Sequence, residues 1–410
     1  MRSNNLSIAS TVLLAVLTAA LLASTGFAQQ EAILHSFNQY SPTKDGNQVN
    51  ARVTLDSPGN VYGTTTGGGA YNSGTVYELS PQSDGTWLES RLHDFGIGSD
   101  GALPFTPVVL DNAGNLYGTT GSGGAYRNGV LYELTPGEGG VWTEKILFNF
   151  NLTPASGLIF DAVGNLYSTG GGGAYNAGTV VEFTRTSAGD WTETILYSFN
   201  PNNSNKDGAF PNSGLIFDAA GNLYGTTYVG GGEFGTVFEL SPQASGGWTE
   251  TILHRFKFDG TDGYLPAGDL ILDAAGNLYG TTSNGGAHNK GTVFELTPGA
   301  GGHWTERIPH SFDPNGKDGY LPVAGLISDA AGNLYGTTVL GGFAWTGAVF
   351  ELTPAAGGAW SETILHSFRP NGQDGVEPRM GLAIDPAGNL YGTTTDGGRN
   401  GGGTAYRVTP

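Results

Sequence analysis

The sequence contains no cysteine and few charged residues, and these absences exclude several kinds of protein. Without cysteine the chain can form no disulfide, no thiolate metal site and no lipid anchor on a cysteine. Charged residues make up only 13% of the 410 residues, with 36 acidic against 17 basic. Phosphate binding needs clustered lysine and arginine, and the chain has no such cluster. We therefore expect neither nucleic acid nor an anionic membrane as a partner.

Long apolar runs are also missing, except near the start of the chain. Residues 8–22 are mostly apolar, follow Arg2 and are too short for a comfortable membrane span. Small residues at Gly26 and Ala28 suit a signal peptidase. We therefore predict a signal peptide over residues 1–28 and export to the periplasm or the extracellular space. Residues 29–410 are predicted to form a single domain, a monomer without a membrane span.

Glycine is abundant, with 70 residues, and it marks a tandem repeat. The phrase Gly-Asn-Leu-Tyr-Gly-Thr-Thr occurs seven times with minor changes, at intervals of 50 to 57 residues. Its tyrosines are Tyr62, Tyr117, Tyr167, Tyr224, Tyr279, Tyr335 and Tyr391. Each repeat holds four short runs rich in β-branched and aromatic residues, separated by turn residues, which predicts four antiparallel strands. Seven such units predict an all-β fold, a seven-bladed β-propeller.

The repeats are out of phase with the two ends of the chain. Residues 31–37 form a lone fourth strand, whereas residues 404–409 form a third strand with no fourth strand after it. We predict that the N-terminal strand completes the C-terminal blade, because this closes the ring and removes two exposed sheet edges. An open β-solenoid is the alternative, and it predicts shorter rungs without complementary ends.

Several fixed phrases resemble the GloVer-type tandem repeat proteins, which are exported bacterial proteins. They are Asp-Ala-Ala-Gly-Asn-Leu-Tyr-Gly-Thr-Thr at 273–282, Gly-Thr-Val-Phe-Glu-Leu-Thr-Pro at 291–298 and Trp-x-Glu-x-x-Leu-His-Ser-Phe at 360–368. The resemblance covers essentially all of residues 29–410. It implies export and a propeller-like repeat. It implies no activity, because the family is defined by its repeat.

The fourth predicted strand carries two recurrent polar residues. Histidine occupies one slot five times, at His35, His93, His254, His310 and His366. Because Phe148 and Tyr197 replace it in the other copies, we favour ring packing between blades over a metal or acid–base role. Glutamate occupies another slot seven times, at Glu31, Glu89, Glu144, Glu193, Glu250, Glu306 and Glu362. We favour a solvated or hydrogen-bonded rim position for it, since fourth strands are expected at the outer rim, far from one another.

Asp-Gly dipeptides recur in the connections between blades, where they favour turns. Two connections also carry enough side-chain oxygens for a calcium site. The candidate ligands are Asp259, Asp262, Asp313, Asn315 and Asp318. Neither connection matches a full calcium loop, because the distal bidentate glutamate is missing, so turn formation alone remains the alternative. The 50-residue repeat lacks this segment over residues 149–157.

The loop between the second and third strands keeps its glycines but varies the residues between them. It is predicted to lie on the same face as the Asp-Gly connections, because successive strands are antiparallel. Aromatic rings beside amide and guanidinium groups suit a sugar or peptide ligand. The candidate ligand-binding residues are Tyr71, Tyr126, Tyr175, Phe234, His288, Trp345 and Arg399. Unconstrained loop tips would vary in the same way.

The sequence contains no nucleophile elbow, phosphate loop or His-Glu-x-x-His motif, and no catalytic residue is predicted. The favoured function is an exported, non-catalytic propeller that recognises a glycan, a peptide or a surface partner through the variable loops. One alternative is a lyase or hydrolase that acts on a polysaccharide or a cyclic peptide, with or without a divalent cation. The other is a purely structural envelope protein.

Overall fold

The computed structural model describes residues 30–38, 45–96, 98–202 and 207–410, so the predicted signal peptide lies outside the described residues. Within these ranges the chain forms seven sheets of four antiparallel strands, with one additional short strand on the fifth. The predicted seven-bladed, all-β propeller is confirmed. The helical structure in these ranges consists of three single-turn 3₁₀ segments, Glu138–Gly140, Ala300–Gly302 and Ala356–Gly358.

We number the blades 1 to 7 along the chain and name the strands of each blade inner, second, third and outer. The inner strands are Thr54–Leu55, Val109–Leu110, Ile159–Phe160, Ile216–Phe217, Ile271–Leu272, Ile327–Ser328 and Ala383–Ile384. The second strands are Val61–Thr65, Leu116–Thr119, Leu166–Gly170, Leu223–Thr227, Leu278–Gly285, Leu334–Thr338 and Leu390–Thr394. The third strands are Thr75–Pro81, Val130–Pro136, Thr179–Arg185, Thr236–Pro242, Thr292–Pro298, Ala348–Pro354 and Gly401–Thr409. The outer strands are Trp87–Asp94, Trp142–Asn149, Trp191–Ser198, Trp248–Arg255, Trp304–Ser311, Trp360–Ser367 and Gln30–Asn38.

Short strand pairs join the connection that enters a blade to the loop between its second and third strands. The pairs are Gly46–Asn47 with Gly67–Gly68, Gly101–Ala102 with Ser122–Gly123, Gly208–Ala209 with Val229–Gly230, Gly319–Tyr320 with Leu340–Gly341, and Gly375–Val376 with Asp396–Gly397. In blade 5 the strand Gly263–Pro266 pairs directly with the long second strand. We call this side of the ring the upper face and the opposite side the lower face.

The N-terminal strand closes the ring, as predicted. Gln30–Asn38 pairs antiparallel with Gly401–Thr409, with Ile33 opposite Tyr406. The backbone N–H of Gln48 in blade 1 donates to the carbonyl of Gly402 in blade 7 over 3.2 Å. The two chain ends therefore share one blade, and its outer strand comes from the beginning of the chain.

The hydrophobic core consists of seven clusters, and each cluster is shared by two neighbouring blades. Between blades 5 and 6, for example, Tyr279 and Val293 pack with Phe350 and Leu352. The tryptophan that begins the next outer strand, Trp360, meets the Tyr279 ring edge to face at 6.1 Å. A single blade thus leaves its apolar face uncovered until its neighbour is in place.

The recurring phrase closes the lower hairpin of every blade. In blade 4, Asp218 Oδ1 accepts the backbone N–H of Asn222 at 2.9 Å, and its Oδ2 accepts the Asn222 amide at 2.8 Å and the Tyr224 hydroxyl at 3.1 Å. The other six blades repeat these bonds. Burial raises the pKa of Asp218, but the hydrogen bonds from Asn222 and Tyr224 outweigh burial and hold it below the usual value. The phrase is therefore a structural clamp on the lower face.

The second glycine of the phrase lies directly under an aromatic ring of the third strand. Gly225 is opposite Phe238, and a Cβ on Gly225 would lie 2.7 Å from Phe238 Cζ. Glycine faces tyrosine or phenylalanine at this position in six blades. Blade 3 instead pairs Ser168 with Val181, so a larger residue on one strand accompanies a smaller one on the other.

We expect Gly225→Ala to destabilise the protein by about 1–3 kcal/mol, because the added methyl group overpacks the site beneath Phe238. Adding Phe238→Val, which reproduces the blade 3 pair in kind, should recover part of this loss. The double variant should then be more stable than the sum of the two single losses predicts. Denaturant unfolding of the wild type, both single variants and the double variant measures this coupling. Strictly additive losses would contradict the packing argument.

Candidate functional site

Backbone hydrogen bonds tie the upper-face loops of neighbouring blades together. The N–H of Leu265, in the connection that enters blade 5, donates to the carbonyl of Phe234 in the blade 4 loop over 2.9 Å. Leu265 has φ 56°, a left-handed conformation that is uncommon for leucine. The same conformation recurs at Gln48, Leu103, Phe210, Leu321 and Glu377. Each of these residues also donates its N–H to the preceding blade, so the upper face is one bonded ring except between blades 2 and 3.

The predicted ligand-binding residues all lie on this upper face. The side chains of Tyr71, Tyr126, Tyr175 and Trp345 are more than half exposed, at 64, 59, 56 and 51%. His288 and Arg399 are exposed as well, whereas Phe234 is half-buried. Within the described ranges, every aromatic side chain that is more than half exposed lies on this face. These residues are Tyr71, Tyr126, Tyr175, Phe210, Phe258, Phe343 and Trp345.

The structure brings some of these rings together with residues that the sequence did not single out. Phe234 stacks on Phe258 at 6.1 Å and meets Tyr264 edge to face at 5.7 Å. Trp345 lies 6.4 Å from Tyr320, and Lys290 Nζ lies 5.0 Å above the same tyrosine ring. The upper face over blades 4 to 6 is therefore richer in aromatic rings than the loops between the second and third strands alone predict.

A cavity of about 420 Å³ lies where all seven blades meet, lined by residues just before the inner strands. Three charged residues line it: Arg52, Asp269 and Arg379. Asp269 Oδ1 accepts the backbone N–H of Gly214 at 2.6 Å, and Arg379 Nη2 lies 2.7 Å from Glu377 Oε2. We call this cavity the channel mouth.

Sequence reasoning missed the channel mouth, although a signal was present. Four repeats have glycine four residues before the aspartate that follows the inner strand, at Gly157, Gly214, Gly325 and Gly381. The other three have Arg52, Pro107 and Asp269 in that slot. This change of residue type, at a position that faces the axis, was the sequence signal that the lining of the channel mouth differs from blade to blade.

Histidine, aspartate and glutamate side chains meet at the boundaries between blades. The histidine comes from one outer strand, the aspartate from the following Asp-Gly dipeptide and the glutamate from the next outer strand. Between blades 4 and 5, His254 Nε2 lies 3.2 Å from Asp262 Oδ2 and 3.4 Å from Glu306 Oε1. The clusters are His35/Asp45/Glu89, His93/Asp100/Glu144, His254/Asp262/Glu306, His310/Asp318/Glu362 and His366/Asp374/Glu31. We call them the inter-blade clusters.

These clusters correct two expectations about the outer strands. The outer strands of neighbouring blades are not far apart. At each cluster the histidine Nε2 of one outer strand lies 3.4–3.9 Å from a glutamate oxygen of the next. The glutamates of the clusters are not solvated either, since the Glu306 side chain is only 17% exposed, whereas Glu193, outside the clusters, is exposed. Ring packing does occur, but along one chain segment and not between blades, for His254 meets Phe256, two residues further on, edge to face at 4.8 Å.

Two of the cluster glutamates have a strongly raised pKa. Burial, with Asp262 close by, raises the pKa of Glu306 to about 9, and burial with Asp318 does the same for Glu362. Between blades 3 and 4, Tyr197 replaces histidine, and its hydroxyl donates to Asp207 Oδ2 at 2.8 Å. Between blades 2 and 3, Phe148 is accompanied by Glu193 but by no aspartate. Two carboxyl groups brought this close cannot both be ionised without a compensating charge.

The five predicted calcium ligands lie in two connections, where they make hydrogen bonds within their own turn. Asp259 Oδ1 accepts the N–H groups of Thr261 and Asp262 at 3.0 and 2.9 Å. Asn315 Oδ1 accepts those of Lys317 and Asp318 at 2.8 and 3.0 Å, and its amide donates to Asp313 Oδ2. Asp262 and Asp318 also belong to the inter-blade clusters. Asp259 and Asn315 thus shape turns, and calcium binding stays a prediction.

The sequence profile of the Gloeobacter/Verrucomicrobia repeat matches residues 22–232, 153–342 and 305–410. The chain therefore belongs to this repeat family, which confirms the resemblance seen in its fixed phrases. No curated protein matches the chain.

Solved structures of similar fold include three with little sequence similarity. An ancestral GH74 enzyme has a TM-score of 0.58 at 12% identity, over 92% of this chain and 51% of its own. The polysaccharide lyase Uly1 has a TM-score of 0.51 at 11% identity, over 92% and 98%. The extracellular domain of a B. thetaiotaomicron protein described as a one component system has a TM-score of 0.52 at 13% identity, over 93% and 42%. The chain thus spans about half the GH74 enzyme and less of the third protein. At such low identity these similarities support the fold alone.

In the described parts of the chain, no helix has the length and apolar character needed to cross a membrane.

We expect the stability of the protein to fall as pH rises because of Glu250, which lies between blades 3 and 4. Burial and then Asp207 raise its pKa from 4.5 to about 8, despite the opposing effect of Arg255. The folded state therefore keeps a proton that the unfolded state loses between these two values, and stability declines across that window. Glu250→Gln removes the titrating group, so its melting temperature relative to wild type should rise from pH 5 to pH 8.

The matched control for this prediction is Glu138→Gln, at an exposed glutamate of the turn before an outer strand. Its melting temperature should stay parallel to that of the wild type across the same pH range. A constant difference between Glu250→Gln and wild type would contradict the shift assigned to Glu250.

Proposed function

We propose that this protein is a non-catalytic binding propeller that holds a carbohydrate chain on its upper face. The segregation of the exposed aromatic side chains carries this proposal, since all of those more than half exposed in the described ranges lie on that one face. Single exposed apolar residues are ordinary, but the restriction of the exposed rings to one side supports a recognition surface there. Sugar rings present apolar C–H faces that stack on aromatic side chains.

The polar groups of the upper face suit the hydroxyls of a sugar. Arg52 and Arg379 at the channel mouth offer guanidinium donors, and the cavity of about 420 Å³ falls within the usual range for small-ligand sites. Arg399 belongs to the blade 7 loop, and its Nη2 lies 3.5 Å from Oε1 of Gln373. A chain could therefore place one unit at the channel mouth and stack others on the loops. One protein of similar fold is, by its name, a polysaccharide lyase.

We further propose that the protein works outside the cytoplasm. The predicted signal peptide over residues 1–28 supports this, together with the similarity in fold to an extracellular domain. Peptide and protein partners remain the other candidates for the upper face, and a protein that binds none of these would be structural.

A second candidate function is catalysis on a polysaccharide, and one cavity favours it. A space of about 440 Å³ between blades 6 and 7 is lined by His366, Asp374 and Glu31, with Arg369 and Phe343 at its border. Burial raises the pKa of Glu31 to about 7, opposed by His366, and a value near the working pH suits a general acid. The same three residue types recur at four other boundaries, however, which indicates a structural origin. His366→Phe would abolish turnover without abolishing carbohydrate binding if this candidate is correct.

We expect Trp345→Ala and Tyr71→Ala each to weaken carbohydrate binding by about 2- to 10-fold, the loss of one stacking contact of roughly 0.5–1.5 kcal/mol. A glycan array of neutral and acidic chains, probed with the mature protein, identifies the ligand, and calorimetry then compares the variants. Their melting temperatures should stay unchanged, because both side chains are exposed.

Leu88→Ala is the matched control, since Leu88 is 55% exposed near the lower end of an outer strand. It should bind carbohydrate as the wild type does. Wild-type affinity in both aromatic variants, or an array without any bound glycan, would rule out the proposed site.

A further inference from the structure

The inter-blade clusters contain buried carboxylate oxygens without hydrogen-bond partners. Asp262 is 6% exposed, and its Oδ2 accepts the N–H of Lys257 at 2.9 Å and faces His254 Nε2. With both carboxyl groups ionised, its Oδ1 is buried and has no hydrogen-bond donor, and the same holds for Oε1 of Glu306 across the boundary. The next two clusters repeat this pattern at Asp318 Oδ1 and Glu362 Oε1, and at Asp374 Oδ1 and Glu31 Oε1. Leaving such oxygens unpartnered is costly, so each cluster calls for a proton or a cation.

The spacing of the polar atoms fits a small cation. In the three clusters with the most buried aspartates, histidine Nε2 lies 3.1–3.2 Å from an aspartate oxygen and 3.4–3.8 Å from a glutamate oxygen. All the candidate ligand atoms of a cluster lie within 4.8 Å of one another. Bonds of about 2.0–2.2 Å to a zinc ion place neighbouring ligand atoms roughly 3.0–3.6 Å apart. The three side chains thus already stand close to the separations that a shared metal imposes.

We propose that each of the three inter-blade clusters with a buried, unpartnered aspartate oxygen binds one divalent transition-metal cation, with zinc the best fit, and that the cation joins two neighbouring blades. These clusters are His254/Asp262/Glu306, His310/Asp318/Glu362 and His366/Asp374/Glu31. One imidazole and two carboxylates form a ligand set that suits zinc, whereas calcium takes oxygen ligands only. Three protein ligands leave a position for water. The aspartate is already oriented, since a backbone N–H donates to the oxygen that faces the histidine, as with Arg369 N–H on Asp374 Oδ2 at 2.9 Å.

The two boundaries without a cluster support the idea that the three residues act as one unit. Where Phe148 replaces histidine, the connection lacks the Asp-Gly dipeptide as well, and only Glu193 is left. Where Tyr197 replaces histidine, its hydroxyl hydrogen-bonds to Asp207, so a neutral donor takes the place of a metal ligand. A packing role alone would not require the aspartate to vanish together with the histidine.

The test uses the mature chain without an affinity tag, stripped with a chelator and then titrated with zinc chloride alone at neutral pH. Calorimetry and elemental analysis should both give about three zinc ions per chain, one for each of these three clusters. Zinc should also raise the melting temperature, because it binds only where two blades have met. Calcium at the same concentration should not displace the zinc.

His310→Phe should lose one zinc equivalent. Phenylalanine occupies this slot naturally at Phe148, so ring packing on Phe312 is kept while the ligand nitrogen is removed. Glu362→Gln should lose one equivalent from the same cluster, and it serves if the phenylalanine variant does not fold. His288→Ala and His303→Ala remove the two histidines that lie outside the clusters, and both should keep the wild-type stoichiometry.

Three results would overturn the proposal. The first is a wild-type protein that takes up less than one zinc ion per chain. The second is a stoichiometry that neither His310→Phe nor Glu362→Gln changes. The third is a loss of zinc on replacing His288 or His303. In any of these cases a shared proton would account for the buried carboxyl pairs.

Discussion

The structure depends on one constraint, which is that each blade buries its apolar face only against the next blade. The seven hydrophobic clusters all lie between blades, and none is completed within a single blade. Aromatic rings also pair across these boundaries. Tyr279, in the second strand of blade 5, meets Trp360, in the outer strand of blade 6. Ring closure follows from this constraint, because an open array would leave two of these faces in water.

The same constraint explains why the repeats are uniform at some positions and free at others. Positions that touch a neighbouring blade or close a hairpin are fixed, such as Asp218, Asn222 and Tyr224 on the lower face. Most side chains at the tips of the upper loops are exposed, such as Tyr71 and Trp345, so they can differ from blade to blade. Blade 3 shows that even a fixed position can change when its partner changes too, since Val181 replaces a large ring opposite Ser168.

The fold could be predicted from the sequence because the period of the repeat, the strand count and the mismatched chain ends are all local patterns. The blade number, the four antiparallel strands and the closure by residues 31–37 follow from counting alone. The inter-blade clusters could not be found in this way. His254 and Glu306 lie one full repeat apart, and only the lateral packing of two outer strands brings them together. The repeat pattern gives the position of each residue within its blade. It does not show which positions of neighbouring blades come into contact.

The upper face lies between these two cases. Its location followed from strand direction, and so did the exposure of Tyr71 and Trp345. The set of aromatic residues on this face could not be predicted in this way. Phe258, Tyr264 and Tyr320 come from the connections between blades, and only the folded structure brings them next to the loop aromatics. The channel mouth was missed for the same reason, since Arg52, Asp269 and Arg379 converge from blades that are distant in sequence.

The shared seventh blade has a consequence for the order in which the molecule is made. Its outer strand is among the first residues described, Gln30–Asn38, and its third strand is the last, Gly401–Thr409. Of the strands described, the one that is synthesised first must therefore wait, unpaired, for the one that is synthesised last. Until then the nascent chain carries two open sheet edges that fit each other, and they equally fit those of another copy. Pairing of these two strands within one chain thus competes with pairing between copies. A low protein concentration favours closure of the ring within one chain.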